Sequence, residues 1–175
     1  MGDEIKEYIS KEKLSGIVKR VAREIVRDAE DGEILLLTVM NGALPFSRDL
    51  RREIEGLGRK VRDYSIKVKS YEGMKSGDLT FEGVEENFSG RDIYIVEDIV
   101  DSGRTMDFLI NYLLKEKGAQ SVKVVSLLSK PSKREVDVPI DYLGIEIEDK
   151  FVIGYGLDYD GKYRELDFIG VLGEG

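Results

Sequence analysis

Apolar residues recur at alternating steps of three and one over positions 14–26, and this spacing predicts an amphipathic helix over about residues 10–29. Ser10 is the expected N-cap of that helix. The unbroken apolar run ILLLTVM at positions 34–40 is typical of a strand covered on both faces. A second helix is expected over about residues 45–58, where a proline can occupy the first turn.

Strands and helices continue to alternate toward residue 128. Alternating apolar residues predict a strand around positions 64–68, and the polar stretch KSYEGMKSGDL after it predicts a long mobile loop. Buried strands are expected at positions 93–96 and 122–128, with a helix over about residues 106–117 between them. Such alternation implies parallel pairing, so the predicted fold class is α/β with a central, mostly parallel sheet flanked by helices.

The last third of the chain has a different pattern. Short strand-like pieces occur at positions 142–147, 151–155 and 168–172, and they are expected to form a small additional sheet or lid. A length of 175 residues fits a single domain, so we expect residues 1–175 to form one.

Composition and charge narrow the class of protein. With 41% hydrophobic and 35% charged residues, and no apolar run near the roughly 18 residues of a membrane span, a soluble protein with no membrane partner is expected. The charged start MGDEIKEYIS does not resemble a signal peptide, so a cytoplasmic location is expected. The net charge of −8 argues against nucleic acid as a partner.

The missing residue types exclude several chemistries. The chain has no Cys and no His, which excludes disulfides, zinc sites with the usual ligands, Ser-His-Asp triads and Cys-His dyads. Catalysis must therefore use Asp, Glu, Lys, Arg, Tyr, Ser or Thr, with oxygen ligands available for a hard metal such as Mg2+.

The stretch YIVEDIVDSGRTM places three carboxylates near the end of a predicted strand, at Glu97, Asp98 and Asp101. Ligands of open parallel sheets bind at the carboxyl ends of strands, and Asn41-Gly42 follows another strand in the same way. The turn after Asp101 leads into a helix, so its N–H groups can hold a phosphate. The spacing fits equally well a turn in which Asp101 or Ser102 merely caps the helix.

Five segments resemble the hypoxanthine-guanine phosphoribosyltransferases, which are type I phosphoribosyltransferases. They are VEDIVDSGRT, LLTVMNGALPF, KSYEGMKSGDL, LLSKPSKREVDVP and DKFVIGYGLDYDGKYRELDFIG. The first resembles the phosphoribosyl pyrophosphate motif of that family, and the others match in order and spacing. The resemblance implies a core of about residues 30–130, and a small hood from the N-terminal segment and about residues 131–175. It also implies a homodimer or homotetramer.

The resemblance implies a role for each residue of the acidic motif. Glu97 and Asp98 would hold the ribose hydroxyls and help to bind Mg2+, and Asp101 would be the general base near the purine N7. The phosphate-binding residues would be Asp101, Ser102, Gly103, Arg104 and Thr105. Nearby carboxylates would also favour the positive character that develops on the ribose as pyrophosphate leaves.

The purine site is implied by four residues of the C-terminal segments. Lys130 would donate to the exocyclic oxygen of the purine, although lysines are mostly solvated. Phe151 would stack on the base and Val152 would contact it through its main chain, although both fit an ordinary core. Asp158 would contribute to the purine site and ligate Mg2+, although it also fits a polar turn.

The resemblance places pyrophosphate at Asn41, Gly42 and Arg164. Many relatives carry Lys or Arg at the position of Asn41, so backbone amides are the expected substitute here. The peptide bond between Met40 and Asn41 is expected to be cis. Ser70 and Tyr71 would begin a mobile loop that closes over the site and excludes water.

The implied function is purine salvage, in which hypoxanthine or guanine reacts with phosphoribosyl pyrophosphate to give IMP or GMP and pyrophosphate. One alternative is a nucleotide-sensing regulator of the same fold that binds nucleic acid, which would need a basic surface. Another is a transferase that prefers xanthine, adenine or a pyrimidine. The sequence leaves hypoxanthine, guanine and xanthine open, whereas the donor at Lys130 opposes the 6-amino group of adenine.

Overall fold

A computed structural model describes residues 4–69, 80–82 and 86–173 of the chain. The helices and strands of the described residues are, in chain order, β1 (Ile5–Ile9), α1 (Lys11–Asp28), β2 (Ile34–Met40), α2 (Leu44–Gly56), β3 (Val61–Lys69), β4 (Thr80–Glu82), β5 (Asp92–Val100), α3 (Arg104–Lys115), β6 (Ser121–Ser129), a 3-10 turn (Pro131–Lys133), β7 (Tyr142–Glu146), β8 (Val152–Ile153) and β9 (Ile169–Leu172). The start of the predicted mobile loop, Ser70 and Tyr71, lies outside the described residues.

The central sheet has six strands in the order β4-β3-β2-β5-β6-β7. The five neighbouring strands β3, β2, β5, β6 and β7 pair in parallel, and β4 adds an antiparallel edge strand beside β3. The predicted α/β class with a mostly parallel sheet is therefore confirmed. No strand was expected at β4, because the polar and glycine-containing stretch before it predicts only a loop.

Helices cover both faces of this sheet. Leu36 packs with the buried faces of α1 and α2, whereas Leu35 and Leu37 pack with the buried face of α3. This arrangement explains the unbroken apolar run of β2, since successive side chains of a strand point to opposite faces. The predicted N-cap of α1 is confirmed, because the Ser10 hydroxyl accepts a hydrogen bond from the Lys13 N–H at 3.0 Å.

A second, antiparallel sheet has the order β1-β9-β8 and joins the two ends of the chain. It contains two of the three short pieces that were predicted after residue 130. The third piece, β7, lies instead in the central sheet, parallel to β6. Its pattern is not distinctive because an edge strand is only partly buried, as β7 is here.

Strand β5 is longer than predicted and changes the position of the acidic pair. The sequence places the strand end at Val96, but β5 continues to Val100. Glu97 pairs with Ser126 of β6, and Asp98 lies between the paired residues Glu97 and Ile99. The side chains of neighbouring strand residues point to opposite faces, so the two acids cannot point in one direction.

Within the described part of the chain, no helix is long and apolar enough to cross a membrane.

Candidate active site

A cavity of about 350 Å³ lies where β2, β5 and β6 end. Its wall is formed by the loop after β2, the end of β5 with the residue that follows it, the residue after β6, and residues of the 151–164 segment. The lining residues are Asn41, Gly42, Asp98, Ile99, Asp101, Lys130, Phe151, Val152, Gly156, Leu157, Asp158 and Arg164. A larger cavity of about 550 Å³ lies between α1, α2 and residues 155–167, and it shares Arg164 with the first. The smaller of these two cavities is therefore lined by every predicted purine and pyrophosphate residue.

The acidic pair consists of a buried Glu97 and a half-buried Asp98, and it is divided between two cavities. Glu97 is 8% exposed and lines a separate cavity of about 190 Å³, whereas Asp98 lines the cavity of about 350 Å³. The Asp98 N–H donates to Glu97 Oε1 at 3.0 Å, and the Ile99 N–H donates to Asp98 Oδ1 at 2.7 Å. Burial raises the pKa of Glu97 well above its ordinary value, and the charge of Asp98 raises it further. Burial also raises the pKa of Asp98.

The predicted phosphate loop encloses the cavity of about 190 Å³. That cavity is lined by Glu97, Ile99, Val100, Asp101, Ser102, Gly103, Thr105 and Met106. Gly103 has a φ of 89° and is the N-cap of α3, which has no side-chain cap there. A Cβ on Gly103 would lie 2.5 Å from the carbonyl oxygen of Val136, so the close approach of that segment requires glycine.

Two side chains of this loop bond within the protein. The Ser102 hydroxyl accepts from the Arg104 N–H at 3.2 Å, which is the local contact that an ordinary turn would also make. Arg104 Nε donates to Glu135 Oε2 at 2.6 Å, and Arg104 does not line the small cavity. Any phosphate contact of Arg104 therefore involves its main chain more readily than its guanidinium.

Lys130 lines the cavity of about 350 Å³ and is buried, with 11% of its side chain exposed. Its Nζ lies 4.0 Å from Asp101 Oδ1 and 3.6 Å from Asp149 Oδ1. This burial contradicts the ordinary expectation of a solvated lysine. Asp149 was not predicted as a site residue, since it stands in a charged stretch that resembles any exposed turn.

An exposed aromatic ring, that of Phe151, lines the same cavity. Phe151 is 55% exposed and packs edge to face against Tyr159, with ring centroids 5.7 Å apart at 90°. Val152 beside it is buried, as a core residue would be. The structure also adds Ile99 and Leu157 to the cavity wall. Ile99 was missed because the sequence shows it only as an apolar spacer between acids.

The loop after β2 contacts Asp98 closely. The peptide bond between Met40 and Asn41 is cis, as expected. A Cβ on Gly42 would overlap the Asp98 carboxylate, with the carboxyl carbon 2.9 Å away. A Cβ on Gly156 would lie 2.9 Å from Pro45 Cδ, so the C-terminal segment also packs tightly on this loop. Asn41 brings no cation to the loop.

Asp158 and Arg164 form an ion pair in the wall of this cavity. Asp158 Oδ2 lies 3.3 Å from an Arg164 guanidinium nitrogen and accepts from the Gly161 N–H at 2.8 Å. The second guanidinium nitrogen of Arg164 donates to the Gly156 carbonyl at 2.8 Å. Arg164 is thereby fixed beside the cavity while 39% of its side chain stays exposed.

The carboxylates suit a shared magnesium ion better than a closed metal cage. Among the described residues, no group of three or more His, Cys, Asp or Glu side chains is placed to hold a metal, so Glu97, Asp98 and Asp158 do not form one. Mg2+ usually keeps several waters and binds one or two carboxylates together with substrate phosphates. Asp98 and Asp158 line one cavity and supply oxygen ligands of this kind.

The chain is similar to enzymes of one known family. Residues 4–160 match the phosphoribosyl transferase domain family. The hypoxanthine-guanine phosphoribosyltransferase of Bacillus subtilis (strain 168) is 40% identical over 169 residues, which cover 95% of this chain and 92% of that protein. A crystal structure of a Bacillus anthracis hypoxanthine-guanine phosphoribosyltransferase has a TM-score of 0.90 at 37% identity and covers 97% of this chain and 100% of that one. The Trypanosoma cruzi hypoxanthine phosphoribosyltransferase in complex with the product IMP has a TM-score of 0.89 at 34% identity, with coverage of 98% and 95%.

Proposed function

The chain belongs to the phosphoribosyltransferase family, and we infer from its site that it is a purine-salvage enzyme. It joins hypoxanthine or guanine to phosphoribosyl pyrophosphate and releases pyrophosphate with IMP or GMP. One observation carries this inference: buried Lys130 lies 4.0 Å from Asp101 in a cavity that is also lined by the exposed ring of Phe151. The similar Trypanosoma cruzi enzyme binds IMP, which is one of the proposed products.

The spacing of Lys130 and Asp101 fits one edge of a 6-oxopurine. The exocyclic oxygen and N7 are neighbours on that edge, and the oxygen accepts while a protonated N7 donates. An ammonium can only donate and a carboxylate can only accept, so the two residues match the two atoms in order. Phe151 would stack on one face of the base, and Ile99 adds a further apolar side chain to the cavity wall. Val152 contacts the base through its main chain.

Asp101 acts as the general base in this proposal. The bond from ribose C1′ to pyrophosphate breaks, a purine nitrogen forms the new bond to C1′, and the proton on N7 passes to the Asp101 carboxylate. The leaving electron pair departs with pyrophosphate. The carboxylates of Glu97 and Asp98 bind the ribose hydroxyls and stabilise the positive character on the sugar.

Phosphate groups are held at two places. The main-chain N–H groups and hydroxyls of Ser102 to Thr105 bind the 5′-phosphate at the start of α3, where the helix dipole favours an anion. Pyrophosphate binds between the Asn41-Gly42 loop and Arg164. Because Asn41 has no charge, main-chain N–H groups and Arg164 supply the donors there.

Mg2+ is the proposed cofactor, and Asp98 and Asp158, which line one cavity, would hold it together with substrate oxygens, whereas Glu97 lines the cavity of the phosphate loop. When bound, the metal ion neutralises charge on the pyrophosphate as that group leaves. The expected closing loop at Ser70 and Tyr71, the homodimer or homotetramer and the cytoplasmic location stay predictions. The nucleic-acid-binding alternative gains no support from a chain with a net charge of −8.

A panel of bases tests the function. The purified protein is incubated with phosphoribosyl pyrophosphate, Mg2+ and hypoxanthine, guanine, xanthine or adenine, and kcat/KM is measured for each. We expect turnover of hypoxanthine and guanine, and rejection of adenine by about 10⁴-fold, because its 6-amino group opposes the Lys130 ammonium. Preferential use of xanthine would select that alternative, and equal use of adenine would contradict the proposed contact.

A further inference from the structure

The 130–136 segment, called the strap below, runs along the back of the phosphate loop, and Arg134 is its principal contact. We propose that Arg134 is a positioning residue that holds Asp101 and the phosphate loop in their reactive arrangement. This role rests on the proposed function, because it concerns the same site. Arg134 does not line either cavity of that site, so it acts through the loop.

Arg134 bonds both to the loop and to a neighbouring strand. Its Nε donates to the Asp101 carbonyl oxygen at 3.0 Å, and one terminal nitrogen donates to the Ser129 hydroxyl at 2.6 Å. The same terminal nitrogen lies 3.5 Å from the Val100 carbonyl oxygen. Ser129 is buried at the end of β6, so the guanidinium joins the end of β5 to the buried end of β6. Hydrogen bonds from a charged donor are stronger than neutral ones.

The strap also bonds to the carbonyl groups on either side of Asp101. The Val100 carbonyl accepts from the Lys130 N–H at 3.0 Å. The Ser102 carbonyl accepts from the N–H groups of Glu135 and Val136, both at 2.9 Å. Three successive carbonyl groups of the loop thus turn toward the strap.

The direction of these carbonyl groups fixes the direction of the N–H groups. In a planar trans peptide the C=O and the next N–H point to opposite sides. When the carbonyls of Asp101 and Ser102 bond to the strap, the N–H groups of Ser102 and Gly103 point away from it, which presents donors instead of acceptors to an anion. A carbonyl turned the other way would repel the 5′-phosphate.

The same contact holds the general base. With its carbonyl bonded to Arg134, Asp101 has a fixed main chain, and its carboxylate stays near Lys130 although 54% of its side chain is exposed. An exposed carboxylate on a loop needs such support to remain within reach of the purine proton. Misplacement by about 1 Å can lower a rate by about 10²-fold.

The test compares Arg134→Ala and Arg134→Lys with Arg20→Ala. Arg20 is a matched control, because its guanidinium also donates to two main-chain carbonyls, those of Leu143 and Gly144 at 3.1 and 2.6 Å, away from both cavities. Steady-state constants, binding of ribose 5-phosphate by calorimetry and thermal unfolding are measured for each protein. The Arg134→Ala assays are repeated with methylguanidinium added.

Arg134→Ala is expected to lower kcat and weaken ribose 5-phosphate by about 10- to 100-fold, with a smaller change in KM for the base. Methylguanidinium should restore part of kcat, which a loss of general stability would not allow. Arg134→Lys keeps the charge but lacks the forked guanidinium that reaches both acceptors, so its kcat and its affinity for ribose 5-phosphate should lie between those of the wild type and Arg134→Ala. If the alanine variant does not fold, the lysine variant provides the comparison with the wild type.

Wild-type constants in both Arg134 variants, or an equal loss in Arg20→Ala, would overturn the positioning role while leaving the proposed function intact. A wild-type protein without phosphoribosyl transfer would instead refute the proposed function. In that case the titration with ribose 5-phosphate still decides the role of Arg134: equal affinity in wild type and Arg134→Ala would refute it.

Discussion

Gly42→Ala perturbs the contact between the loop after β2 and Asp98, which is proposed to bind the ribose. The added Cβ would lie 2.9 Å from the carboxyl carbon of Asp98 and closer still to its Oδ2, whereas ordinary contact begins near 3.4 Å. The conflict is with a side chain and not with backbone. Because Asp98 Oδ1 already accepts from the Ile99 N–H at 2.7 Å, the carboxylate cannot turn away without losing that bond.

The expected effect is larger on catalysis than on stability. Relief of the overlap needs a displacement on the order of 1 Å in either the Asp98 carboxylate or the loop, which predicts a fall in kcat/KM of about 10²-fold. Overpacking at one site typically destabilises by about 1–3 kcal/mol. We expect the lower end of that range here, since a short side chain at a cavity can move more easily than a packed core.

Gly16→Ala is the matched control for this substitution. Gly16 is exposed in α1, and a Cβ there has no heavy atom within 4 Å. The same change should stabilise the protein by about 0.5–1 kcal/mol because alanine favours a helix interior, and activity should not change. The assays are steady-state kinetics and thermal unfolding on both variants. A Gly42→Ala enzyme with wild-type kcat/KM would refute the conclusion that this glycine sets the position of Asp98.

Three further substitutions test the acidic motif and the base site. Asp101→Asn keeps the shape but removes the proton acceptor, so single-turnover rates should fall by about 10²- to 10⁴-fold, and a loss under tenfold would exclude the general-base role. Lys130→Met should raise KM for hypoxanthine and guanine and narrow their advantage over adenine, whereas unchanged constants would mean that the lysine does not contact the base. Burial raises the pKa of Glu97 in the folded protein above its value of about 4.3 in the unfolded chain. The contribution of this group to the stability of the folded protein is therefore fully present below the unfolded pKa, and it is lost as the pH rises through the folded pKa. Glu97→Gln should therefore raise Tm at about pH 8 and have less effect near pH 4, which thermal unfolding of substrate-free and metal-free protein would measure.

The sequence predicts those parts of the fold in which one pattern dominates. The bounds of β2 agree with its apolar run, and α1 begins after its expected cap at Ser10. The predicted end of β5 was wrong. The polar residues Glu97 and Asp98 resemble the end of a strand, but the pairing of β5 with β6 continues to Val100. Pairing with a neighbour decides that end, and a single strand carries no record of it.

The candidate site is also predicted only in part from the sequence. The family resemblance identifies residues whose side chains would contact the ligand, such as Lys130. The burial of these residues and the distances between them depend on the fold. The sequence did not predict a role for Ile99 or Arg134. Ile99 stands as an apolar residue between acids, and Arg134 is one of several basic residues in the run KPSKR, so neither position is distinctive. The contacts of Arg134 are with main-chain carbonyls and one serine hydroxyl, which no sequence motif records.

The most direct test of the proposed function is the stoichiometry of products from hypoxanthine and phosphoribosyl pyrophosphate. With Mg2+ present, the protein should form IMP and pyrophosphate in equal amounts, and both should disappear when the metal is removed with a chelator. Asp101→Asn should bind IMP while forming it far more slowly. Failure of the wild-type protein to form IMP, or release of pyrophosphate without a nucleotide product, would contradict the proposal.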